Sequence, residues 1–143
     1  MPRHRLPATG TALLFAQLVG CQASTALAET VTCHVSYGGE TRLVEAQPVA
    51  SPYAVPVQKI GSYFLFRVVF QQEPADLAAI KVYVLADRER GPAPIHQATH
   101  RYPPPQVNHA LWGFTGLNHI YEPRRDGELR YWCELSKAES QAG

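Results

Sequence analysis

The sequence predicts an all-β fold, namely a small immunoglobulin-like β-sandwich or a small closed barrel of about six or seven strands with one disulfide bond. Three observations support this prediction. Several short segments alternate apolar and polar residues with the period of two that a half-buried strand imposes. Prolines and glycines separate these segments. Cys33 and Cys133 lie in the first and last alternating segments, so one crosslink would close the domain end to end.

The first predicted element is a β-hairpin. Residues 30–37 alternate cleanly, with Cys33 on the apolar face. The pair Gly38 and Gly39 follows, and two adjacent glycines supply the positive φ angles that a tight hairpin turn needs. We expect the chain to return as a second strand over residues 41–46.

The middle of the chain predicts three further strands. Three prolines within residues 48–56 would interrupt a hydrogen-bonded ladder, so we expect a loop that crosses to a second sheet. Residues 62–70 are rich in aromatic and β-branched side chains and are the predicted central strand. A helical turn at 74–78 precedes a strand over 80–85, and another strand covers 95–102.

The last predicted element is a second hairpin. Asp126 and Gly127 form a typical tight turn between residues 119–121 and residues 128–135. The second of these strands places Cys133 on its apolar face. Since both cysteines point inward, they can form a disulfide only if the first and last strands are neighbours or face each other across the core.

Residues 1–28 are expected to be a cleaved export signal of a bacterial protein. Two arginines and a histidine precede an apolar run at 11–19. This run has about nine residues, whereas a membrane-spanning helix needs roughly 20. We therefore expect a periplasmic protein with no transmembrane helix in the mature chain, in a compartment where disulfides form.

Two cleavage sites compete. Ala26 and Ala28 form a small-x-small site whose cleavage would release a chain beginning at Glu29, and we favour this site. The alternative is a lipobox at residues 18–21, in which Cys21 would be acylated and would anchor the protein in the outer membrane. In either case Cys33 and Cys133 are left as the only pair.

The expected mature chain is one β domain at residues 29–136 with a flexible polar tail at 137–143. The whole chain has 13 basic and 12 acidic residues. Loss of two arginines with the signal would leave it close to neutral. A protein with no basic field cannot hold a nucleic-acid backbone well, so we predict no nucleic-acid partner.

Histidines offer one candidate for chemistry, because imidazole is a common ligand of copper and zinc. His96 and His100 would share a strand face with α-carbons about 13 Å apart, too far for one ion without a bend. Met1 is the only methionine, so the thioether ligands that suit Cu(I) are missing. A metal-binding protein is therefore an alternative, with the candidate ligands His96, His100, His109 and His119.

Signatures of enzymes are missing from the sequence. It contains no G-x-S-x-G elbow, no H-E-x-x-H motif and no glycine-rich phosphate loop. Cys33 and His34 point to opposite faces of a strand and cannot act as a catalytic pair. Residues 87–94 (DRERGPAP) are predicted to be a solvated charged turn. We predict no enzymatic activity and no cofactor, with a hydrolase of unrecognised site as a third hypothesis.

Residues 102–121 form the most unusual segment, because it is rich in apolar residues although loops are usually polar. One interpretation is a loop that folds back and plugs one end of the sandwich. The other is a recognition loop stiffened by the prolines at 103–105. The candidate binding residues are Trp112, Phe114, Tyr102 and Tyr121.

The predicted function is a periplasmic binding or interaction module that recognises a protein or a small ligand through this loop. The alternatives are a periplasmic copper or zinc protein and a lipid-anchored envelope protein of the same fold.

Overall fold

The computed structural model describes residues 28–105 and 111–137, together with Met1. Eight antiparallel strands form two four-stranded sheets that pack together. Short 3-10 turns occupy Pro52–Ala54 and Ala75–Leu77, the second of them at the predicted helical turn. The strands are β1 (Glu29–Tyr37), β2 (Glu40–Ala46), β3 (Gln58–Ile60), β4 (Phe64–Gln71), β5 (Ala79–Ala86), β6 (Ala93–Arg101), β7 (Asn118–Glu122) and β8 (Gly127–Lys137).

The predicted sandwich is confirmed. One sheet, here called the terminal sheet, has the strand order β2-β1-β8-β7, and the other, the central sheet, has the order β3-β4-β5-β6. The closed-barrel alternative is excluded because β2 does not pair with β3, nor β6 with β7. The central sheet is a meander of consecutive strands, whereas the terminal sheet joins two hairpins through the pairing of β1 with β8.

The first hairpin forms where the sequence predicts it. Gly38 and Gly39 both adopt positive φ angles, 61° and 83°, and they join β1 directly to β2. The structure contains one strand that the sequence pattern did not predict, β3. It has only three residues, which is too short for a period of two to stand out.

Aromatic and β-branched side chains fill the space between the sheets. The central strand β4 is confirmed, since it lies between β3 and β5 and all its residues except Arg67 and Gln71 are buried. Phe66 meets Tyr131 of the opposite sheet edge to face, with ring centroids 5.4 Å apart. Such aromatic pairs contribute stability beyond the area that they bury.

The disulfide joins Cys33 and Cys133, as predicted. These residues lie directly opposite each other in the register of β1 and β8. Of the two arrangements that the sequence left open, the strands are therefore neighbours in one sheet. The crosslink thus fastens the first strand to the last strand within the terminal sheet.

Some predictions fall on residues that the structure does not describe. The export signal and Cys21 lie in residues 2–27, and His109 lies in residues 106–110. Most of the predicted tail lies beyond residue 137. In the part that is described, no helix is long and apolar enough to cross a membrane.

Candidate binding surface

Both tryptophans of the chain lie on the outer face of the terminal sheet. Trp132 points outward from β8 because its neighbours Tyr131 and Cys133 point into the core. His34 stands opposite Trp132 on β1, and the two rings stack with centroids 3.8 Å apart and planes 5° apart. Trp112 packs edge-on against Trp132 at 6.0 Å. We call these three rings the aromatic patch.

A shallow cleft of about 190 Å³ opens beside the aromatic patch. This volume is below the roughly 300–1,000 Å³ of typical small-molecule sites. It is comparable to the space that one large side chain occupies. The cleft is lined by His34, Ser36, Trp112, Leu117, Arg130 and Trp132.

Polar groups surround the patch. Nε2 of His34 lies 2.9 Å from Oε1 of Glu134, and the hydroxyl groups of Ser36 and Thr41 hydrogen bond at 2.7 Å. Arg130 contributes a positive charge to the lining of the cleft. An apolar centre with a polar rim is the usual layout of a protein recognition surface.

The backbone after Trp112 holds this side chain in place. The N–H of Phe114 donates to the carbonyl of Cys133 at 3.0 Å, and the N–H of Cys133 donates to Oγ1 of Thr115 at 2.8 Å. Gly113 has φ of 58°, and a β-carbon there would lie 1.9 Å from the Cys133 carbonyl oxygen. Only glycine fits this position. The two hydrogen bonds hold the segment 113–115 against β8, just before β7 begins.

The aromatic residues of the predicted binding loop do not form one cluster. Trp112 is 40% exposed on the outer face, whereas Phe114 packs at the edge of the core against the ring of His100. The two interpretations of this loop therefore apply to different residues. Phe114 helps to close the sandwich, and Trp112 remains accessible.

The two flanking tyrosines are also separated. Tyr121 is 63% exposed on the outer face, and its hydrogen bond to Glu128 raises the pKa of the phenol. Tyr102 packs against Phe70 and its hydroxyl donates to Glu29. Tyr121 is thus accessible on the same outer face as the aromatic patch, whereas Tyr102 is a packing residue.

The candidate metal ligands lie in different places. Nε2 of His96 and the hydroxyl of Tyr131 form a hydrogen bond of 2.8 Å between the two sheets. Nε2 of His100 is buried without a hydrogen-bond partner among the described residues. His119 lies on the outer face, 3.0 Å from Glu128. In residues 28–105 and 111–137, no three His, Cys, Asp or Glu side chains form a group that could hold a metal ion.

Burial changes the pKa values of the histidine and tyrosine side chains that face the core. Desolvation lowers the pKa of His96 and of His100, and the nearby His96 lowers the pKa of His100 further. Desolvation raises the pKa of the Tyr131 hydroxyl, which therefore stays protonated at neutral pH. We conclude that the hydrogen bond between His96 and Tyr131 is one between neutral groups.

The stack of His34 on Trp132 was not predicted, although the sequence contained a signal for it. The cysteine pair, once its strands are taken as antiparallel neighbours, fixes the register of β1 against β8. Position 34 must then lie opposite position 132. The contact with Trp112 carried no such signal, because it depends on how the loop returns to β8.

Comparison with known proteins assigns no family: no family model matches the chain, and no curated protein or solved structure matches it significantly. The fold and the surface themselves define a small disulfide-bonded β-sandwich with a fixed aromatic patch on its terminal sheet.

Proposed function

We propose that this protein is a non-enzymatic binding module of the bacterial periplasm, and that it binds a protein partner through the aromatic patch. The observation that carries the proposal is that both tryptophans meet on one solvent-facing sheet surface. A soluble fold gains little from holding large aromatic rings at its surface. Tryptophan, tyrosine and arginine are the residues that most often dominate binding energy at protein interfaces.

The surroundings of the patch favour a protein over a small molecule. Leu43, 59% exposed, lies opposite His34 on β2, and Tyr121 extends the same face on β7. These residues add apolar area over a broad sheet surface, while the cleft itself is small. A flat face with one shallow cleft suits a partner that inserts one anchoring side chain.

The cellular part of the proposal rests on the predicted export signal and on the disulfide. Structural disulfides are typical of proteins in oxidising compartments such as the periplasm. Cleavage after Ala28 would give a free periplasmic protein. Acylation of Cys21 would instead give a lipid-anchored envelope protein with the same patch.

A photo-crosslinking amino acid at position 112 tests the proposed partner surface. We expect ultraviolet irradiation of cells to give one discrete protein adduct, identified by mass spectrometry. The purified partner should then bind the wild-type protein, and Trp132→Ala should weaken this binding at least tenfold.

The matched control is the same crosslinker at Tyr53, an aromatic residue that is 93% exposed and lies outside the patch. This position should give no such adduct. Equal adducts from both positions, or binding that survives Trp132→Ala in a folded protein, would contradict the proposal.

A further inference from the structure

A second surface lies at one end of the sandwich, where two loops come together. The β5–β6 connection at residues 87–92 and the β7–β8 turn at residues 123–126 form the walls of an open cleft of about 800 Å³. We propose that this cleft binds a ligand through a phosphate group. The guanidinium groups that would hold it are those of Arg88, Arg90, Arg124 and Arg125, and we call the site the arginine cleft.

The charges around the arginine cleft favour an anion. None of its four arginines forms a salt bridge with any residue that the structure describes. Of the nearby carboxylates, Asp87 is already paired with Lys59 at 3.7 Å, and Glu122 is fully buried. Glu89 in the lining and Asp126 in the β7–β8 turn are the remaining carboxylates, so four arginines leave positive charge in excess.

Both loops that line the cleft contact the buried residue Tyr63. The N–H of Asp87 donates to the carbonyl of Tyr63 at 2.7 Å, and the guanidinium of Arg125 lies 4.9 Å above the Tyr63 ring. Both loops are thus attached to the same residue. A preorganised site loses less entropy when it binds a ligand.

The side chain of Glu122 holds the β7–β8 turn through a hydrogen bond to its backbone. Its Oε1 accepts the N–H of Arg124 at 3.0 Å. Burial raises the pKa of this carboxyl. The N–H groups of Arg124 and Arg125 and the Tyr63 hydroxyl lower the pKa by more than burial raises it, so the carboxyl of Glu122 is ionised. Its Oε2 and the Tyr63 hydroxyl are both buried without a well-formed hydrogen bond among the described residues. The carboxylate thus holds the backbone of the β7–β8 turn that carries two of the arginines.

Phosphate is the anion that best matches this arrangement. A planar guanidinium donates two parallel hydrogen bonds to phosphate oxygens, and several arginines can share one phosphate. The cleft volume lies within the range of small-molecule sites. The near-neutral net charge of the chain does not favour a long polyanion. The phosphate can belong to a soluble compound or to a lipid headgroup.

Two binding experiments distinguish these sources. Glycerol 3-phosphate is titrated into the labelled protein while the Nε–Hε signals of the arginines are followed by NMR. Vesicles of phosphatidylcholine with or without phosphatidylglycerol are tested for co-sedimentation with the same protein. We expect saturable shifts of the signals of Arg88 and Arg124, with Arg101 at the far end of β6 unaffected.

Variants decide whether the arginine cleft is responsible. Arg88→Gln/Arg124→Gln should weaken binding about tenfold or more, because it removes two charged groups that donate hydrogen bonds to the phosphate. Lys81→Gln/Arg101→Gln removes the same charge elsewhere and should change affinity less than twofold.

The outcomes also identify the source of the phosphate. Binding of glycerol 3-phosphate that the Arg88→Gln/Arg124→Gln variant weakens supports a soluble ligand. If only the binding of anionic vesicles is weakened in this way, a lipid headgroup is supported. If the protein binds neither glycerol 3-phosphate nor anionic vesicles, or if the two double variants lose affinity equally, the proposal is overturned. The arginine cleft shares no lining residue with the cleft at the aromatic patch, so either proposal can fail alone.

Discussion

At the scale of single residues, the position of the aromatic patch depends on Gly113. This residue combines a positive φ angle with a close approach to the Cys133 carbonyl. A side chain is excluded for both reasons. We therefore expect the contact between Trp112 and Trp132 to require glycine at position 113.

Gly113→Ala should detach the segment 113–115 from β8. We expect a loss of about 3 kcal/mol in the free energy of unfolding, since strain at positive φ adds to the steric clash. Urea titration measures the loss, and a red shift of tryptophan fluorescence reports the release of Trp112. Gly116→Ala is the control, because Gly116 also has a positive φ, 71°, but faces open space. It should cost only about 1 kcal/mol, and equal losses would contradict the role given to Gly113.

Trp112→Ala should leave the fold nearly intact, because the ring is partly exposed and lies outside the core. We expect a change of about 1 kcal/mol or less in the free energy of unfolding. Phe114→Ala, which removes a ring packed against the core, should cost about 2 kcal/mol or more. Thermal denaturation of both variants checks this order. A larger loss from Trp112→Ala would mean that this ring, and not Phe114, closes the sandwich.

At the scale of elements, the pairing of β1 with β8 holds the terminal sheet together. The two strands are far apart in sequence, and their cysteines are separated by 100 residues. A crosslink over such a distance removes much of the conformational freedom of the unfolded chain. The same pairing sets His34 against Trp132, so the disulfide also supports the aromatic patch.

Cys33→Ala/Cys133→Ala should lower the free energy of unfolding by about 4 kcal/mol on the chain-entropy account. Chemical denaturation of this variant beside the oxidised wild-type protein measures the difference. Adding a reductant should weaken the wild type to a similar degree and leave the variant unchanged. An unchanged midpoint in the double variant would refute the stabilising role of the disulfide.

At the scale of the whole molecule, His96 and His100 lie where β6 closes the sandwich. His96 hydrogen bonds to Tyr131 of the terminal sheet, and the ring of His100 contacts the ring of Phe114. Both histidines are partly buried in the neutral form. We therefore expect closure of this edge to be sensitive to protonation of these histidines.

Stability should fall as the pH drops below about 6.5, the ordinary pKa of histidine. Burial lowers the folded-state pKa of His96 and His100, so the unfolded chain takes up protons at a higher pH than the folded chain does. The stabilisation is complete above the unfolded pKa and is lost as the pH falls toward the lowered folded values. Melting temperatures between pH 8 and pH 5 check this, and His96→Gln/His100→Gln should flatten the decline. The same decline in the double variant would assign it to other groups.

The arginine cleft also belongs to this scale. The sequence predicted a charged turn at 87–94, and the structure places that turn beside the β7–β8 turn. Arg88 and Arg124 are 36 positions apart in the chain, and no local pattern relates them. Their proximity arises because β5 and β7 end at the same side of the sandwich.

Local chemistry determined much of this protein from its sequence alone. The period of two in the strands, the Gly38-Gly39 turn and the inward cysteines predicted the sandwich, its first hairpin and its crosslink, because each depends on residues close in sequence or on covalent bonding. Tertiary structure alone decided that the disulfide lies within one sheet, that Trp112 meets Trp132 and that four arginines surround one cleft. These features depend on how distant loops pack against strand ends, and the period of side chains along a strand contains no information about that packing.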